Sequence, residues 1–221
     1  MISYAFEFEA GVSRIEPNFN PRCKEPMSVL LIAGSPSARS RSQALLDSVG
    51  HRLQRRGAQV GSVLVRDLTP SALLLADVSE ASIAAAAEQV AQASAIVVAT
   101  PVYKAAYSGL LKVFLDLLPQ TALKGKTVLP LATGGSPHHM LALDYTLRPV
   151  LQSLAARHIL PGVYATDAQI TVTPEGAYQV NPEISDRLDD AVGLLLAEAY
   201  ERNNANADFE AIPFAQVRCS V

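Results

Sequence analysis

From residue 27 onward, short apolar runs alternate with longer stretches whose apolar positions recur at helical spacing. Val29-Leu30-Leu31-Ile32-Ala33, closed by Gly34, reads as a strand buried on both faces. Residues 42–55 carry Leu45, Leu46, Val49 and Leu53 on one helical face, and Gly57 stops them. A second strand follows over 60–65, an alanine-rich helix over 79–93 with Ser79 placed to cap it, and a third strand over 95–100. The pattern then gives a helix over 108–118 closed by Pro119, a strand over 127–133, a helix over 140–155 and a strand over 159–165. A last amphipathic helix occupies 186–202, ahead of a polar tail over 203–221. Residues 1–26 hold Pro17, Pro21 and Pro26 without a period, and read as an N-terminal extension of a domain that begins near Met27.

This alternation predicts a doubly wound α/β domain over 27–202, a five-stranded parallel sheet with helices on both faces. Ligands of such sheets bind beyond the carboxyl ends of the strands, so the loops after the first, third and fourth strands are the candidates. The first runs Gly34-Ser35-Pro36-Ser37-Ala38-Arg39-Ser40-Arg41-Ser42-Gln43 into a helix. Hydroxyls, guanidinium groups and a helix N-terminus make it either a phosphate cradle or a polar turn with a serine cap. Gly34 is its only glycine, so it is neither GxGxxG nor a Walker loop, and a terminal monophosphate suits it better than a pyrophosphate. The second loop brackets Val102, Tyr103 and Lys104 between Pro101 and Gly109, with Ser108 as a helix cap. A flat ring would lie against it. In the third, Gly134 and Gly135 follow Thr133 and allow a close backbone approach.

Composition narrows the field. With 49% hydrophobic and 18% charged residues, the 221-residue chain has enough apolar material for one sizeable core. A net charge of −3 gives neither the basic face of a nucleic-acid binder nor the acidity of a docking electron carrier. Cys23 and Cys219 form no metal or redox spacing, and no run approaches the ~18 apolar residues of a membrane span. A soluble, cytoplasmic protein without a resident metal is expected. Of His51, His138, His139 and His158, only the pair after the glycine loop lies near the candidate site, and His139 reads as a cap or packing residue. No protein nucleophile or general base is evident, which suits hydride chemistry carried by a cofactor.

GSPSARSRS, ATPVYKAAYSGLLKVFLDLLP and LPLATGG, in this order and spacing, resemble the NADPH-dependent FMN reductases. The most similar are those serving bacterial alkanesulfonate monooxygenases. The resemblance spans about residues 27–169 and implies a flavodoxin-like fold with FMN and NADPH as reactants. It implies that Ser35, Arg41, Ser42 and Gln43 contact the FMN phosphate, with Gln43 departing from the usual serine. The isoalloxazine ring would lie on Pro101, Val102, Tyr103 and Lys104 with Ser108 nearby, and Thr133, Gly134 and Gly135 would approach its other edge. Hydride would pass from NADPH to flavin N5, and reduced FMN would leave for an FMNH2-dependent monooxygenase. The implied assembly is a homotetramer. The alternatives are a reductase of quinones or metal oxyanions that retains FMN, and a flavodoxin-type carrier without catalysis.

Pro149 interrupts the helix over 140–155, because it has no N–H for the Tyr145 carbonyl. Either a proline kink or a single π-bulge resolves that. The resemblance implies the second, with Tyr145 inserted at a subunit interface beside the flavin.

Overall fold

The computed structural model describes residues 27–174 and 176–207, with side chains to residue 202. The predicted extension over 1–26 lies outside the described residues, as does the predicted tail over 203–221 from residue 208 on, its first five residues continuing the last helix.

Parallel strands β1 (Ser28–Ala33), β2 (Gln59–Leu64), β3 (Ala95–Tyr103) and β5 (Thr127–Gly134) take the order β2-β1-β3-β5. A fifth position, filled by β6 (His158–Ile159) and β7 (Val163–Thr166), completes the sheet beside β5. The two-residue period of each strand divides the core. Val29, Leu31 and Ala33 of β1 meet α1 (Arg41–Arg55) and α6 (Pro182–Ala207) on one face. Leu30 and Ile32 meet α3 (Ala81–Gln92) and α4 (Gly109–Asp116) on the other. Every residue of β5 is buried, as a central strand covered on both faces requires.

The predicted fifth strand over 159–165 is broken, and Pro130 accounts for the break. Val128 pairs with Ile159 and Leu131 with Val163, so one extra residue lies on the outer strand opposite the proline. Pro130 offers its neighbour no N–H, and a bulge is the usual accommodation. Gly162 is required there, because a Cβ would stand 2.7 Å from Leu143 Cδ1 and 3.1 Å from the Pro130 carbonyl oxygen. With β4 (Ala106–Tyr107) folded back on β3, the sheet has seven strands where five were expected, in the same architecture.

Other boundaries differ for local reasons. The second strand ends at Leu64 in a 3-10 turn, Val65–Asp67, and is followed by an unforeseen helix α2 (Pro70–Leu75) with proline in its first turn. Glu80, not Ser79, caps α3: its carboxylate accepts from Ser82 and Ile83 N–H, while the Ser79 hydroxyl donates to Asp77 at 2.7 Å. Both carboxyl groups are held below the ordinary carboxylate range by hydrogen bonds, chiefly from the Ser79 and Ser82 hydroxyls respectively. A hairpin, β8 (Ile170–Val172) with β9 (Tyr178–Val180), precedes α6. That helix starts four residues before the predicted 186, at Pro182, where Asn181 Oδ1 accepts from Ile184 N–H.

Candidate functional site

Among the described residues the buried polar side chains are Ser35, Ser42, Thr100, Ser108, Thr127 and Thr133. All but Thr127 gather at the carboxyl edge of β1, β3 and β5, where the three predicted loops emerge side by side. Buried hydroxyls need partners. Ser35, Thr100 and Ser108 find them in backbone groups, and Ser42 in the Ser40 hydroxyl.

In the first loop Ser40 caps α1, accepting from Gln43 N–H at 3.1 Å, and its hydroxyl lies 3.3 Å from that of Ser42. Ser35 accepts from Ser37 N–H at 3.2 Å. The N–H groups of Arg41 and Ser42 are the first-turn donors without an intrahelical acceptor. No acidic side chain stands in that turn, so the positive end of the helix dipole is uncompensated by α1 itself. Arg41 lies flat beside the loop, its Nε donating to the Ile170 carbonyl at 3.0 Å and standing 3.7 Å from Asp167. Gln43 has its side chain engaged within the protein. Its amide lies along α1, donating to Asp47 at 2.8 Å and accepting from Arg66 at 3.5 Å.

The second loop is a tight hairpin rather than an open connection. Tyr103 pairs with Ala106, and Lys104 and Ala105 between them hold φ of 50° and 63°. Two left-handed residues are what a two-residue hairpin turn demands, yet neither is the usual Asn or Gly. Tyr103 is half-exposed and Lys104 exposed at the tip. Ser108 is buried beneath: its N–H donates to Thr100 Oγ1 at 2.9 Å, and its hydroxyl donates to the Gly34 carbonyl and accepts from Leu111 N–H. It therefore locks the first loop to the second, beneath the residues expected to face the ring.

Thr133 pairs in register with Pro101, which places the third loop directly beside the second. A Cβ on Gly134 would lie 2.6 Å from Tyr164 Oη and 3.4 Å from Val102 Cβ, so only glycine fits. Tyr164 donates to the Ser136 carbonyl at 2.6 Å, and its phenol is pushed up by burial and by the nearby Asp167 charge. A cleft of about 480 Å³ opens next to this loop, lined by Gly135, Pro137, Met140, Tyr164, Gln169 and Arg187. A larger one of about 650 Å³ lies along α1 and the β8–β9 hairpin and touches none of the ring-side residues.

Beyond the third loop the predicted helix over 140–155 takes three forms. A 3-10 turn, Pro137–Leu141, capped by Ser136, gives way to a π-helical turn, Leu143–Leu147, and then to α5 (Arg148–Ser153). The Arg148 N–H reaches back five residues to the Leu143 carbonyl, which removes the clash that Pro149 would make with an ordinary turn. Leu143 and Leu147 face the core, and Tyr145 projects into solvent at 75% exposure. Met140 and Leu141, each 53% exposed, stand beside it. His138 and His139 have their N–H groups engaged by Ser136, and no metal-ligating cluster exists among the described residues.

Sequence reasoning missed Asp167, Arg66 and the β8–β9 hairpin. Arg66 Nη1 donates to the Ser37 carbonyl at 3.4 Å and so braces the first loop from β2's end. Neither arginine nor hairpin carries a motif. A carboxylate directly after the fifth strand was the available signal for Asp167.

A parallel sheet of order 2-1-3-4-5, counting the broken position as one, with its polar residues at the carboxyl edge, defines a flavodoxin-like α/β protein. Within that class, residues 27–171 match the family model for NADPH-dependent FMN reductases, and the chain belongs to this family. It is 46% identical over 177 residues to an FMN reductase (NADPH) of Escherichia coli strain K12, covering 80% of this chain and 92% of the relative. A homologue of the same description from Pseudomonas putida strain KT2440 is also 46% identical, over 75% of this chain and 85% of the relative. Among solved structures, an apo NADH:FMN oxidoreductase superposes with TM-score 0.69 at 40% identity, covering 85% of this chain and 92% of that one.

Proposed function

We propose that this chain reduces FMN with NADPH and releases the reduced flavin to a partner monooxygenase of sulfonate-sulfur assimilation. The carrying observation is the convergence of five buried hydroxyl residues and an uncompensated helix N-terminus on one sheet edge, in a member of an FMN reductase family. The donor set fits a phosphate ester. Ser35, Ser42, the Arg41 and Ser42 N–H groups and the Arg41 guanidinium are all donors to an anion. Gln43 is dropped from that set, since its amide is turned along the helix. Pro101, Val102, Tyr103 and Lys104, with Thr133, Gly134 and Gly135 opposite, would hold the ring. When bound, FMN supplies the two-electron hydride acceptor, a chemistry that asks no nucleophile of the protein. The protein's work is to orient the ring and exclude water.

The exposed π-turn supports an assembled, exchange-prone site. Tyr145, Met140 and Leu141 form an apolar surface that a second copy would bury, and a homotetramer with Tyr145 at the interface accounts for it. No helix among the described residues is long and apolar enough to cross a membrane, and a cytoplasmic location fits the two isolated cysteines. The test is direct. The purified protein should be colourless, and should oxidise NADPH only when FMN is added. A yellow protein that turns over quinones without added flavin would identify a retained-flavin reductase instead, and one that binds FMN without oxidising NADPH would identify a carrier.

A further inference from the structure

Asp167 follows β7 and touches both halves of the candidate site. Its N–H donates to the Gly134 carbonyl at 3.1 Å, which ties it to the glycine loop. A Cβ on Gly135 would stand 3.8 Å from its Oδ2. Its other carboxylate oxygen lies 3.7 Å from Arg41 Nε, and Arg41 is the cation of the first loop. The Arg41 Nε–H is already engaged by the Ile170 carbonyl, so the carboxylate acts on Arg41 through charge more than through a directed hydrogen bond. We propose that Asp167 is an internal competitor of the flavin phosphate: a negative charge that weakens the hold of Arg41 on FMN and keeps the flavin exchangeable.

The proposal rests on the reading that the first loop takes the FMN phosphate. A phosphate at the N-terminus of α1 and the Asp167 carboxylate draw on the same guanidinium, and repel one another. The pair is 37% and 49% exposed, so water screens it and the competition is modest, not prohibitive. That is the regime a releasing enzyme needs, since tight product binding would limit turnover. A purely structural Asp167, one that steers Arg41 toward the phosphate, predicts the opposite sign. Asp167 is a positioning residue here, not a catalytic one.

The experiment measures FMN and riboflavin dissociation constants for the full chain by flavin fluorescence, in the wild type and in Asp167→Asn, Asp167→Glu, Arg41→Ala and Asp167→Asn/Arg41→Ala. Asp167→Asn should tighten FMN by about two- to fivefold, the scale of an exposed charge pair, with riboflavin unchanged. The gain should shrink at about 0.5 M salt and in the Arg41→Ala background. Asp167→Glu, which keeps the charge, should stay close to wild type. FMN affinity unchanged or weakened in Asp167→Asn, or moving together with riboflavin, overturns the proposal while leaving the loop reading intact. Equal loss of FMN and riboflavin in Arg41→Ala overturns the loop reading itself, and the proposal with it.

Discussion

The helix that begins at the first loop and the one that begins beyond the third are built in opposite ways. In α1, Ser40 caps a regular helix of 15 residues whose Leu45, Leu46, Val49 and Leu53 are all buried. Its N-terminal N–H groups therefore point one way and hold that direction. After β5 the chain passes through a 3-10 turn and a π-turn before it becomes α-helical, and it leaves Met140, Leu141 and Tyr145 exposed. On the proposed reading the difference is one of task. An anion is recognised by fixed dipoles, which need a rigid, regular helix end. A ring that must enter and leave is better served by a wall whose backbone hydrogen bonds are already irregular and whose apolar surface awaits a partner. Rigidity at the phosphate end and adaptability at the ring end would together give specific but exchangeable binding.

The largest effect is expected at Arg41. If the α1 end is the anion site, Arg41→Ala removes a charge-assisted contact of ~1.5–3 kcal/mol, and FMN affinity falls by roughly 10- to 150-fold. Riboflavin, which lacks the phosphate, should stay within about twofold. Titration of both flavins into the wild type and the variant reads the difference directly. Parallel losses would mean that Arg41, bonded to Ile170, holds the β8–β9 hairpin in place rather than the ligand.

The irregular end is tested by Tyr145. Its side chain makes the exposed crest of the π-turn, so Tyr145→Ala should cost little monomer stability. Deleting the residue outright should tighten the π-turn and leave Pro149 to kink the helix there. Both variants should retain FMN through purification and turn over free FMN several-fold more slowly, on the order of the change when product release becomes limiting. Sedimentation would report whether the assembly shrinks at the same time. A colourless variant with wild-type turnover and an unchanged assembly would remove the link between the π-turn and flavin exchange.

Much of this division was legible in the sequence, and the places where it was not have physical causes. The strands announce themselves as continuous apolar runs and α1 through a long 3.6-residue period, and Gly34 and Gly57 punctuate them. Pro149 made an irregularity legible, since a missing N–H forbids the ordinary ladder, but it left a kink and a π-bulge open, and only the resemblance pointed to the bulge. The broken fifth strand was not legible, because its cause, Pro130, sits on the neighbouring strand and acts only across the register. The cap of α3 went to Glu80 because Asp77 captures Ser79, a competition between two good turn formers that propensity cannot order. At the sheet edge, loop composition marked the hydroxyl-rich loops, but not how their groups are paired. Gln43 turning to Asp47 is a local choice within α1, while Ser108 bonding to Gly34 and Asp167 facing Arg41 are tertiary facts between residues 74 and 126 positions apart.

The smallest effect is expected at Ser42, and it separates the two roles of the α1 end, helix cap and anion site. Its side chain is 1% exposed and its hydroxyl lies 3.3 Å from that of the cap residue Ser40, while the Ser40 bond to Gln43 N–H is independent of it. Ser42→Ala therefore leaves the cap in place and creates no unpaired donor, since a hydroxyl can rotate to the remaining acceptor or to water. Stability should change by less than about 1 kcal/mol, well short of the loss from Ser40→Ala, which strips the Gln43 N–H of its acceptor and should cost ~1 kcal/mol or more. FMN binding should order the two variants the other way. Ser42→Ala removes a neutral donor from the anion site and should weaken FMN by about fivefold, the equivalent of ~1 kcal/mol, with riboflavin unaffected. Ser40→Ala should act on both flavins through the frayed helix end. Thermal melts and flavin titrations on the same two proteins give four numbers, and only a crossed pattern among them supports an anion site distinct from the cap. Losses that rank identically in stability and in FMN affinity would reduce the first loop to a well-capped turn.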